Sequence, residues 1–200
     1  MASSFASFPG LHIHRADMVF MHGVTPSVCY VTCVPQDTTI TTGMLIFGEN
    51  GTPVLGFLDC AWDREWISPP YVKRGQRINI RLLDRRWRWK GRTISGRYNV
   101  RRPDALATTD TAKTYFDLLA LLLDALGETR YEIDIPCPLL TGPTVEWSCA
   151  RADLELAWMV ESIGCVVVLG LDNIIHIVAR GSGPLYPPNG RERIPSVQFA

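Results

Sequence analysis

Cations and aromatics alternate through Asp84-Arg85-Arg86-Trp87-Arg88-Trp89-Lys90, a pattern suited to gripping anions. Guanidinium groups make forked bonds to phosphates and carboxylates, while indole rings stack on bases or fill interfaces. The run belongs to a longer basic stretch: between Lys73 and Arg102 stand twelve Lys or Arg residues and one acid, Asp84, for a net charge of +11. The other 170 residues hold 8 basic and 19 acidic ones, net −11, so a formal charge of zero hides a molecule in two parts. Such segregation predicts a basic surface that meets an acidic partner: nucleic acid, an anionic polymer or another subunit.

Two arrangements of this run compete. In the first, Arg and Lys contact phosphates while Trp87 and Trp89 stack on bases, as in a small barrel that binds single strands. In the second, strand alternation turns Trp87 and Trp89 inward, with Tyr98, as an aromatic core. Arg85, Arg86, Arg88, Lys90, Arg92 and Arg97 then form an outward face toward a neighbour or ligand. The acidic remainder of the chain can serve as that neighbour in a homo-oligomer, and this favours the second arrangement.

Catalysis has little to stand on. His12 and His14 are two apart in Leu11-His-Ile-His14, with Asp17 and His22 nearby, and read as surface or interface histidines rather than metal ligands. His176, inside Ile-Ile-His-Ile-Val, reads as a satisfied strand histidine. Asp59, Asp63 and Glu65 around Trp62 and Trp66 allow a sugar-stacking hydrolase as a third reading, although a salt-bridged face fits them better. No phosphate loop, nucleophile elbow or Cys-His pair occurs, and the chain is read as a non-enzyme without cofactor or metal. The six cysteines contain no CxxC pair. Cys29 and Cys33, four apart on a strand, lie about 13 Å from each other, which suits neither a disulfide nor a shared metal. Reduced, buried thiols are expected.

The elements that must position these residues fall into two grammars. Up to about residue 103 the chain is strand-rich. Val28–Val34, Thr38–Phe47, Val54–Trp62 and Arg77–Leu82 read as strands, with Asn50-Gly51 as a hairpin turn. Trp87–Tyr98 is expected to continue as a hairpin or bent strand turning near Lys90-Gly91. Next, Asp110 is expected to cap a helix that ends at Leu126 before Gly127, its inner face formed by Tyr115, Leu119, Leu122 and Leu126, widened by Leu118 and Leu121. Thr129–Ile135 reads as a strand. Ser148 is expected to cap a second helix running to about Ile163, with Leu154, Ala157, Trp158 and Ile163 inward, and a hairpin from Cys165 to Ala179 closes the unit. The fold class is α+β: an antiparallel β-barrel-like domain at 1–103, an α-β-α-β-β domain at 104–180, and a Pro/Gly-rich arm at 181–200 that docks on a partner. No apolar run is long enough to span a bilayer, and the N-terminus lacks the pattern of a secretory signal.

The stretch from Asp84 to Arg101 resembles the DRRW…W…I.G.YN segment of structural proteins of tailed bacteriophages. The module opened by Thr109-Asp110-Thr111-Ala112 resembles the second part of the baseplate or tail hub family, which includes the myophage hub and late control D proteins. The resemblance spans roughly residues 40–180. It implies a virion protein made in the host cytoplasm and built into the tail tip. It further implies a ring, commonly trimeric, that continues the tail tube, with tail-tube, distal-tail, fibre or spike proteins as neighbours. DNA would pass through the channel without specific binding, and the family has no catalytic residues to carry over. A single-strand-binding barrel remains the alternative.

Overall fold

The computed structural model describes residues 4–8, 10–35, 42–49, 52–62, 77–100 and 111–182. It divides into two compact units, one holding the chain up to Trp87 together with Gly170–Asn173, the other built from Arg88–Leu169 and the strand that follows Ile174.

The first unit is one antiparallel sheet. Its strands are β1 (Ser4–Ser7), β2 (Leu11–Val19), β3 (Val28–Pro35), β4 (Thr42–Glu49), β5 (Thr52–Trp62) and β6 (Ile78–Asp84), ordered β1-β4-β5-β6-β3-β2 and curled into a half-barrel. Period-two alternation sends Cys29, Val31 and Cys33 of β3 and Ile80 and Leu82 of β6 to the inner face, where they meet Leu45 and Cys60. On β2 the inward set is Leu11 and Ile13, then Ala16 and Met18. The three-residue step between Ile13 and Ala16 marks a bulge, which coincides with the register shift against β3. The three cysteines of this sheet thus serve as small core hydrophobes. Burial pushes the Cys33 thiol up to about 11 and raises Cys29 and Cys60 as well, so none is a thiolate near neutrality. The expected Asn50-Gly51 turn lies outside the described residues, but Glu49 pairs with Thr52 on either side of it.

A departure from expectation follows β6. Residues Arg85–Trp89 form a short 3-10 helix, so the alternation read into Trp87-Arg88-Trp89 does not apply. β7 (Thr93–Tyr98) then pairs not with a hairpin partner before it but with β9 (Val145–Arg151), far along the chain. Between them lie α1 (Tyr115–Leu126) and β8 (Tyr131–Asp134). Helix α1 is capped by Thr114 rather than by the expected Asp110, which is outside the described residues. Thr114 Oγ1 accepts from the Asp117 amide, and the Asp117 carboxylate accepts from the Thr114 amide, a reciprocal box that satisfies two orphan donors. These bonds hold the Asp117 carboxyl below its ordinary value. Gly127, at φ 81°, ends the helix in the left-handed conformation that glycine reaches without strain. Leu118, Leu119, Leu122, Leu123 and Leu126 are buried.

The second helix is the larger correction. Residues 145–151 are strand, burying Val145 and Trp147, so α2 spans Ala152–Ser162 and is not capped by Ser148. Its inward residues are Ala152, Leu156, Met159 and Val160, while Leu154 and Trp158 point to solvent. Both faces of this helix are apolar enough to pass for the core stripe, and periodicity alone could not choose between them. The unit closes with β10 (Cys165–Leu169) and β11 (Ile175–Ala179), antiparallel to each other, and β8 lies parallel to β11 in the order β10-β11-β8. The expected arm lies outside the described residues from 183 onward.

Candidate interface at the arginine-tryptophan segment

The segment that looked like a binding surface is largely spent on holding its own chain. Asp84 is fully buried at the end of β6. Its carboxylate accepts from the Ser27 amide at 2.6 Å, from the Arg86 amide at 2.9 Å and from Arg86 Nη2 at 2.7 Å. The Arg86 guanidinium also donates to the Gly23 carbonyl at 2.6 Å, the Met21 carbonyl at 2.8 Å and Ser27 Oγ at 3.0 Å. One buried cation therefore neutralises one buried anion and satisfies the backbone of the loop joining β2 to β3. A buried charge is tolerated when it is paired and its remaining donors are used, and Arg86 meets both conditions.

Arg85 is buried as well. Its Nη1 donates to the Asn173 carbonyl at 2.5 Å and to Asn173 Oδ1 at 2.7 Å. Asn173 adopts φ 61°, a turn conformation asparagine tolerates better than most residues, and its amide donates to Asp59 Oδ2 at 2.8 Å. Arg85 and Arg86 thus cannot belong to an outward face. The reason is the 3-10 turn, which drops both side chains into polar pockets where strand geometry would have aimed only every second one inward.

The aromatics divide. Trp89 is 1% exposed and donates through Nε1 to Glu128 Oε1 at 2.8 Å. Trp87 is half-buried, and its buried indole N–H has no acceptor among the described residues. The half-buried ring of Tyr98 packs edge-on against Trp147, with centroids 5.7 Å apart. Tyr98 also lies over Gly96, where a Cβ would fall 2.6 Å from the ring, so any side chain at 96 would displace it. Asn99, which sequence reasoning passed over, is buried at φ 54°. Its Nδ2 donates to the carbonyls of Lys113 and Pro143, and its Oδ1 accepts from the Lys113 amide. It ties the end of β7 to the start of α1. Its position directly after an aromatic, before a Pro-containing stretch, was the available signal.

Arg88, Lys90, Arg92 and Arg97 are exposed. Arg97 bonds Glu146, its cross-strand partner on β9, at 2.7 Å, but with the two side chains 66% and 60% exposed the pair contributes little to stability. Arg88, Lys90 and Arg92 have no acidic partner among the described residues. Elsewhere, His12 and His14 meet edge-on with ring centroids 4.9 Å apart. His176 lies 3.3 Å from Glu132 on the adjacent strand. Asp59 is engaged by Asn173, whereas Asp63, Glu65 and Trp66 lie outside the described residues. No cluster of three potential metal ligands occurs among the described residues, and no described helix is long and apolar enough to cross a membrane.

No family model matches the chain, and no curated protein matches it. Solved structures do. A 43 kDa tail protein of prophage MuSo2 from Shewanella oneidensis matches 90% of the chain at 12% identity with a TM-score of 0.53. A tail protein from Neisseria meningitidis MC58 matches 92% at 12% identity with a TM-score of 0.57. The chain spans about half of each, 55% and 52%. At that identity the likeness establishes a shared fold.

Proposed function

We propose that this chain is a structural subunit of a phage tail tip, with a baseplate-hub role, and not an enzyme. The observation that carries the reading is the shared fold: about nine-tenths of the chain matches two solved tail proteins, one of them from a prophage. The Asp84–Arg101 stretch supports it independently of the fold. Its mechanism is geometric. Copies close into a ring, three by the resemblance, that continues the tail tube and leaves a channel for DNA without specific contacts. Tail-tube, distal-tail and fibre or spike proteins are the neighbours, and residues 181–200 act as an arm laid on one of them. The division into domains at 1–103 and 104–180 belongs to the same reading.

Of the residues first assigned to an intersubunit face, Arg88, Lys90 and Arg92 retain that role. The single-strand-binding alternative loses its main support, because Trp89 is buried and engaged with Glu128. Negative-stain imaging of the purified full chain is expected to show closed rings with a central opening. Monomers at every concentration, or open filaments, would contradict the reading.

A further inference from the structure

Arg88, Lys90 and Arg92 stand within five residues of one another, all exposed and without an acidic partner among the described residues. Other cations of the same unit are paired: Arg97 with Glu146, Arg151 with Asp153, and Arg180 with Glu161. The Ala152 amide donates to the Arg92 carbonyl at 3.0 Å, which sets the start of α2 beside the trio. Leu154 and Trp158 follow on that helix four residues apart, 52% and 53% exposed. An outward Leu-Trp pair on a helix that starts against Arg92 has apolar anchors of the kind found at interface centres.

A counterpart exists elsewhere on the unit. β8 is an edge strand, and its exposed positions are Glu132 and Asp134. Beyond it, Leu139 and Leu140 are 86% and 57% exposed. They are held out firmly: the Leu140 carbonyl accepts from the Tyr115 amide at 3.0 Å, and the Gly142 amide donates to the Lys113 carbonyl at 2.9 Å. One surface thus reads basic and then apolar, the other acidic and then apolar.

We infer that copies of this chain join head to tail, the Arg88-Lys90-Arg92 trio and α2 strip of one seating on the β8 acids and paired leucines of the next. The two surfaces differ, so the contact is heterologous, the kind that closes a ring. Charge registers the two faces and speeds their encounter, while Trp158 and Leu154 supply the apolar centre. This pairing rests on the ring-forming function proposed above.

A charge exchange on the full chain tests it. Arg88→Glu with Lys90→Glu and Arg92→Glu is expected to weaken self-association at least about tenfold, and so is Glu132→Lys with Asp134→Lys. Mixing the two variants is expected to restore both contacts between unlike copies and give alternating assemblies of equal composition, while combining all five changes in one chain restores the full assembly. Trp158→Ser is expected to weaken assembly without altering the melting temperature, because the ring is already half in water. A wild-type assembly that neither charge variant weakens overturns the pairing while leaving the ring intact. A wild-type chain that never assembles overturns both.

Discussion

Replacing Arg86 by methionine is expected to destabilise the chain by about 3–5 kcal/mol, among the largest effects of any single change. The methionine fills much of the space but leaves Asp84, fully buried, without its cation. It also strips the Gly23 and Met21 carbonyls of their donor, and unpaired buried groups carry their own desolvation cost. The loop from β2 to β3 should loosen together with the end of β6. Urea denaturation of Arg86→Met beside Arg88→Met makes the comparison. Arg88 is exposed, and its replacement should stay within about 0.5 kcal/mol of wild type. Equal, small effects at both positions would mean that Arg86 is a surface residue after all.

Trp89→Ala is expected to cost a similar amount, about 3–5 kcal/mol, since it empties a fully enclosed ring site. Trp89→Phe separates two contributions. The ring stays buried, and the loss should fall to about 1–3 kcal/mol, reflecting the donor taken from the buried carboxylate of Glu128. If Trp89→Ala left stability unchanged and oligonucleotides quenched the wild-type fluorescence, Trp89 would be a stacking platform and the single-strand reading would return.

Much of the architecture was legible because hydrophobic alternation survives wherever a strand has one wet face. β3 and β6 show it, and the Leu-rich stripe of α1 announces its helix. The failures share one cause: contacts distant in sequence decided between locally equal options. β9 needed β7 as a partner some fifty residues away, and nothing in Val145–Arg151 alone distinguishes a strand from a capped helix start. α2 is apolar on both sides, so its orientation followed from packing on α1 and not from its own pattern. The charged segment misled for a related reason. Arginine is usually a surface residue, and burying Arg85 and Arg86 requires Asp84, Ser27, Asn173 and several loop carbonyls to converge on them. Their neighbours Arg88, Lys90 and Arg92 find no such convergence among the described residues and stay exposed.

On the reading proposed above, the chain acts by assembling with itself rather than by binding nucleic acid. Light scattering of the full chain across a range of concentrations, with and without a single-stranded oligonucleotide, tests it most directly. The predicted result is a defined multiple of 22.4 kDa that dissociates as salt rises and is unchanged by the oligonucleotide. A 22.4 kDa monomer that gains mass only when the oligonucleotide is added would contradict it.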